Sequence, residues 1–150
     1  MIKLRTATRD DIPVLADVIA NVRAQADPSI NLDECRAGTT RDLSNWFGTD
    51  EPESILSVIE FNRTDVGRFR VVRFPDRIFL GGIQIHPDFQ GRGIGTHLVS
   101  ALIEESRSLG KPLDLNVDQT NIRARVLYER LGFQRQGESE QEIHMRFRPE

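Results

Sequence analysis

One cysteine, one tyrosine and one tryptophan occur in the chain, and there is no surplus of positive charge. A lone cysteine, Cys35, excludes an internal disulfide and a multi-cysteine metal cluster. Its setting, DECRAG, places acids beside the thiol and argues against a nucleophilic thiolate. Lys and Arg number 20 against 23 Asp and Glu, a net charge of −3. A protein that grips a phosphate backbone usually shows a basic face, so nucleic acid is not an expected partner. No apolar run approaches the length of a membrane span, and the opening MIKLRTATRDD has no signal-like core. No membrane partner and a cytoplasmic location are therefore expected. No cluster has metal-ligand spacing, so no metal is expected. Gly-Lys followed by Ser or Thr is missing, which excludes the nucleotide P-loop.

What is present suits one domain spanning residues 1–150, with ordinary apolar content of 38%. Ile2 and Leu4 alternate with Lys3 and Arg5, a short first strand. TRDDIPVLADVIANVRA follows as a helix, capped by Thr8 or Asp10, with Pro13 early and Ile12, Leu15, Ile19 and Val22 at helical spacing. Residues 27–53 are expected to be a loop, a short helix around Leu43, Trp46 and Phe47, and another loop. SILSVIEF, VGRFRVVRF and RIFLGGIQIH form a meander turned at NRTD and Pro75-Asp76. Gly81-Gly82 implies a bulge or a close approach of another backbone. A helix with Ile94, Leu98, Ala101 and Leu102 on one face ends at Gly110. LDLNV is the next strand. Thr120 or Asn121 opens a helix carrying Ala124, Leu127, Tyr128 and Leu131, ended by Gly132. Two strands close the chain, the last being EIHMRF. The order β-α-α-β-β-β-α-β-α-β-β makes an α/β chain, a mixed sheet with helices on both faces.

The segment Gln90 to Gly95, QGRGIG, joins a strand to a helix. Free N–H groups and the dipole at a helix N-terminus suit a phosphate or pyrophosphate, and glycine removes the Cβ from the ligand's path. Arg92 adds a charge-assisted donor. The dinucleotide fingerprint is not met, because its third glycine would fall at Thr96 or Leu98. A tight turn that binds nothing is the plain structural alternative.

Gln90-x-x-Gly93-x-Gly95 after IQIHPDF resembles the cofactor signature of the GCN5-related N-acetyltransferases. A second signature, Asn121-x-x-Ala124-x-x-Leu127-Tyr128-Glu129-Arg130-Leu131-Gly132-Phe133, lies downstream. The opening IKLRTATRDDIPVL and the ending EIHMRF also resemble that family, leaving only about residues 27–53 outside the likeness. The resemblance implies the acyl-CoA N-acyltransferase fold, whose sheet splays between the fourth and fifth strands. It implies acetyl-coenzyme A as co-substrate, an amine of a small molecule or peptide as acceptor, and direct attack through a tetrahedral intermediate.

By the same resemblance, the main chain of Ile83, Gln84 and Ile85 holds the pantetheine arm. Gln90, Gly91, Arg92, Gly93, Ile94, Gly95 and Thr96 form the pyrophosphate turn, and Asn121 hydrogen-bonds the arm or serves as a plain N-cap. Tyr128 protonates the departing sulfur as general acid, its alternative being a core aromatic. An N–H near Ile85 faces the oxyanion. No acid lies in IFLGGIQI to serve as base; Glu60 on a neighbouring strand acts directly or through water, or ordered water alone serves. His86, His97 and His144 are read as non-catalytic.

Residues 27–53 carry seven acids (Asp27, Asp33, Glu34, Asp42, Asp50, Glu51, Glu53), which would attract a cationic amine. Five arginines in residues 63–77 (Arg63, Arg68, Arg70, Arg73, Arg77) would suit an acidic acceptor; solvated surface is the plain reading of both groups. The competing function is a non-catalytic acyl-CoA-binding sensor or scaffold of the same fold. Family members often pair, so a homodimer is a further expectation.

Overall fold

The computed structural model describes residues 1–49 and 53–150. Asp50 and Glu51, and part of the loop expected before the second strand, lie outside the described residues. Among the described residues, seven strands and four α-helices follow the expected order. The strands are β1 (Ile2–Thr6), β2 (Ser54–Phe61), β3 (Thr64–Arg73), β4 (Ile78–Ile85), β5 (Leu113–Asp118), β6 (Gln134–Glu138) and β7 (Glu142–Phe147). The helices are α1 (Ile12–Ala26), α2 (Leu32–Trp46), α3 (Ile94–Leu109) and α4 (Ile122–Arg130). The sheet order is β1-β2-β3-β4-β5-β7-β6. The chain forms two compact units, Met1–Arg70 with Gly82–Ile94, and Val71–Gly81 with Gly95–Glu150.

In the first unit, β1 pairs antiparallel with β2 from Ile2↔Phe61 to Thr6↔Ser57. Asn62 and Arg63 both take positive φ (50° and 70°), the geometry of a two-residue hairpin turn, and this closes β2 onto β3. A short 3₁₀ turn, Arg9–Asp11, precedes α1. The acid that organises this start is Asp11: it accepts the Thr8 N–H at 2.8 Å and binds Arg5 through two hydrogen bonds, 2.8 and 2.9 Å. Ile12, Leu15, Ala16 and Ile19 of α1 share a buried cluster with Leu43, Leu56 and Val58, and Trp46 and Phe47 pack against it.

The short helix expected within residues 27–53 is instead the 15-residue α2. Its apolar face is thin, since only Thr39 and Leu43 are buried. Local bonding does the rest. Asn31 caps it by accepting from the Glu34 N–H at 2.9 Å. The hydroxyls of Thr39, Thr40 and Ser44 each donate at 2.8 Å to the carbonyl four residues back. Hydrophobic periodicity does not report such bonds.

In the second unit, β4 runs parallel to β5 at Ile78↔Leu113, Phe79↔Asp114 and Leu80↔Leu115. β5 pairs antiparallel with β7 along its whole length, and β7 with β6. Inward residues Leu113, Leu115, Val117, Ile143, Met145 and Phe147 are buried, as alternation requires. Asp114 is buried too, and Arg146 donates to both its oxygens at 2.6 and 2.8 Å. On α3 the buried face is Leu98, Val99, Leu102 and Ile103, while Ala101, expected inside, is exposed. Gly110 ends α3 with φ +65°, and Gly132 follows α4 with φ +104°.

Candidate functional site

The glycine turn is built on β4 and ends at α3. Past Ile85 the chain makes a 3₁₀ turn, Pro87–Phe89, and enters α3 at Ile94. Gly91 and Gly93 take φ of +77° and +78°, a left-handed conformation that side-chain-bearing residues rarely adopt. A Cβ at either position would meet no atom within 4 Å. The glycines are therefore needed for backbone shape, and the space beside them is open. Gly91, Arg92, Gly93 and Thr96 are exposed, and Ile94 is buried as the helix's anchor. Gly95 is partly exposed at the first turn of α3.

Two residues fix the turn. Gln90 donates from its amide to the Ile85 carbonyl at 2.9 Å and exchanges two hydrogen bonds with Gln25 of α1, 3.0 and 3.1 Å. Arg92 lies over two aromatic rings, 5.4 Å from the Phe89 centroid and 5.9 Å from that of Phe61. These ring contacts hold its guanidinium at the turn.

Along β4, His86 donates its N–H to the Val66 carbonyl of β3 at 2.8 Å. Alternation then turns the main-chain groups of Ile83 and Ile85 away from β3. Gln84 differs from its two neighbours. Its side chain accepts from the Arg68 Nη1 at 2.7 Å. Gly82 does not accommodate a neighbouring backbone: a Cβ there would fall 2.2 Å from Arg68 Nη1, so the position is kept bare for a guanidinium.

Arg68 and Gln84 belong to a cavity of about 310 Å³ within the first unit. Ile19, Val22 and Arg23 of α1 and Thr39, Asp42, Leu43 and Trp46 of α2 complete its lining. Burial pushes the Arg68 guanidinium down to about 10, and the like charges of Arg70 and Arg23 act in the same direction. Its Nε is buried with no hydrogen-bond partner among the described residues.

Glu60 stands elsewhere in the unit. It lies 3.6 Å from Arg5, in a cluster that also holds Asp11 and Asp65. It does not line the cavity; the carboxylate that does is Asp42, exposed at the rim. Sequence reasoning counted Asp42 among seven acids and had no signal to single it out. His86 caps the 3₁₀ turn, its Nδ1 accepting from the Asp88 N–H at 3.1 Å. His144 pairs with Asn116 at 3.0 Å in the second unit.

The second unit carries Asn121 and Tyr128. Asn121 is the N-cap of α4, its oxygen accepting from the Ala124 N–H at 3.1 Å. Tyr128 is 7% exposed and packs against Phe133 with centroids 5.6 Å apart. Burial pushes its phenol up to about 12, so the hydroxyl keeps its proton throughout the neutral range. The core-aromatic and N-cap readings of these residues both hold.

A model of the acetyltransferase (GNAT) family matches residues 21–133. Over 52 residues the chain is 38% identical to an L-amino acid N-acyltransferase, MnaT, of Escherichia coli K12; the match covers 34% of this chain and 30% of that protein. Over 59 residues it is 44% identical to the [ribosomal protein bS18]-alanine N-acetyltransferase of Salmonella typhimurium, covering 39% and 40% of the two chains. These matches thus span well under half of either relative's length. The fold is also that of the PaiA N-acetyltransferase of Thermoplasma acidophilum, solved in complex with coenzyme A: TM-score 0.78, 15% identity, 99% of each chain covered.

Proposed function

Because the chain belongs to the acetyltransferase (GNAT) family, we propose that it is an N-acetyltransferase that moves the acetyl group of acetyl-coenzyme A to a primary amine of a small molecule or peptide. The observation that carries this reading is the turn before α3. Two glycines held at φ +77° and +78°, with open space where a Cβ would stand, lead into the N-terminus of a 16-residue helix. Free N–H groups, the helix dipole and Arg92 are the donors a pyrophosphate needs.

Acetyl-coenzyme A, when bound, supplies a thioester carbonyl as the electrophile. The chain's own residues do the rest. The N–H groups of Ile83 and Ile85, turned away from β3, suit the amides of a pantetheine arm or the oxyanion. The oxyanion donor expected near Ile85 is not the N–H of His86, which is already bound to Val66. The amine nitrogen forms the new C–N bond, the C–S bond breaks, and sulfur leaves with the electron pair. Tyr128 donates to that sulfur. A phenol near 12 is a weaker acid than a thiol, which ionises near about 8.5. Its contribution is therefore a hydrogen bond to the developing thiolate, which leaves as the anion, while the amine's proton passes to the base or to water. Glu60, paired with Arg5, is better suited to hold the edge of the sheet than to accept the amine's proton. Ordered water or Asp42 at the cavity rim fits that task better.

The test is free-thiol release from acetyl-coenzyme A against a panel of amines. Tyr128→Phe is expected to lower kcat by about a hundredfold while coenzyme A affinity stays within a few-fold of the parent. Unchanged kcat would remove Tyr128 from the chemistry. Tight cofactor binding without turnover on any amine would favour the sensor or scaffold reading.

A further inference from the structure

The cavity between α1, α2 and the β3–β4 hairpin has a chemical asymmetry that the acetyl donor does not use. Its walls are apolar at Ile19, Val22, Leu43 and Trp46. At one place they hold a half-buried cation, Arg68. Among the described residues, no acid answers that charge within hydrogen-bond reach; its side-chain partner is the neutral amide of Gln84, at 2.7 Å. The other charges acting on Arg68 are of the same sign, Arg70 and Arg23. Its Nε is buried and unsatisfied. A side chain at Gly82 would occupy the guanidinium's place. Burying a charge without a counter-charge costs stability, and a fold that clears space for such a charge gains nothing structural from it. The missing partner is an anion, and a guanidinium fork suits a carboxylate.

Resting on the acetyltransferase reading, we propose that the acceptor is a small amino acid-like molecule, an amine that also bears a carboxylate, and that Arg68 binds that carboxylate. Nη2 of Arg68 faces the carboxylate oxygens, while Gln84 holds Nη1 in place. The apolar walls receive a hydrophobic side chain, and the cavity, about 310 Å³, lies at the small end of ligand pockets. The acidic α2 rim, with Asp42, offers an approach for the cationic amino group. One member of each sequence trend, Asp42 of the acids in residues 27–53 and Arg68 of the arginines in residues 63–77, thus stands at one end of the zwitterion.

The experiment uses matched pairs that differ in the carboxylate: L-leucine against isoamylamine, and L-phenylalanine against phenethylamine. Two readouts are taken on the full chain, kcat/KM by thiol release and the ligand-induced rise in melting temperature. The amino acids are expected to be preferred at least about a hundredfold, since a site that hydrogen-bonds a polar group rejects the analogue without it. Arg68→Met is expected to collapse that preference through KM and to leave the ligand-free protein no less stable, because it removes an unmatched, half-buried charge. Gly82→Ala, which displaces the guanidinium, is expected to weaken the same preference. A wild-type preference for the plain amines, or a preference that survives both variants, overturns the proposal. Turnover of plain amines with no melting shift from amino acids overturns it and leaves the acetyltransferase reading standing. Arg68-dependent melting shifts from amino acids with no thiol release on any amine do the reverse.

Discussion

Gly93 shows how a single residue holds the turn together. Its φ is +78° and the space around it is empty, so an added methyl group clashes with nothing. The whole effect of Gly93→Ala is then backbone strain, about 1–2 kcal/mol for a left-handed residue with a Cβ. Urea denaturation is expected to show that loss. Calorimetry is expected to show weaker coenzyme A binding, because relaxing the strain reshapes the turn. Equal stability and equal affinity would mean that the turn does not depend on this conformation. QGRGIG was legible in the sequence because glycine is the usual residue for that region of φ and ψ. The pairing of Glu60 with Arg5 was not, since it depends on β1 lying beside β2.

At the scale of elements, α2 departs furthest from its sequence pattern. β5 and β7 were readable because their apolar periods match their burial. Leu113, Leu115 and Val117 of β5 are buried, and so are Ile143, Met145 and Phe147 of β7. In α2 only Leu43 gives an apolar signal at a buried position, and Thr39 is the other buried residue. The helix relies on its Asn31 cap and on hydroxyls returned to its own carbonyls. Asn31→Ala is therefore expected to lower stability by about 1 kcal/mol, as measured by chemical denaturation. An acceptor cavity walled by α2 should loosen with it, raising the acceptor KM more than the KM for acetyl-coenzyme A. No change in either quantity would show that packing alone holds the helix. The cavity itself was not legible, since Arg68, Gln84 and Asp42 meet only once α2 packs beside α1 and β4 beside β3.

Across the whole molecule, ionisation sets where the fold is stable. The hydrogen bond from Arg5 holds the Asp11 carboxyl below its usual range, burial opposing. Arg73 does the same for Glu105. For groups lowered in this way the stabilisation is present above the unfolded value and is lost as pH falls through the folded one. At the other end, the unfolded Tyr128 phenol ionises near 10 and the folded one near about 12, so stability falls as pH rises between those values. Melting temperature is expected to hold between these limbs and to drop at both. Asp11→Asn is expected to cost more at neutral pH than at an acid pH below the usual carboxylate range, because the parent's stabilisation is lost as pH falls through the folded value. Equal costs at both values would detach Asp11 from the acid limb.

The most direct measurement is a calorimetric titration of the purified chain with coenzyme A. The expected result is saturable one-to-one binding in the micromolar range, weakened by Gly93→Ala and by Arg92→Met. No heat and no saturation at millimolar coenzyme A would contradict the assignment of the turn before α3, and with it the proposed reaction.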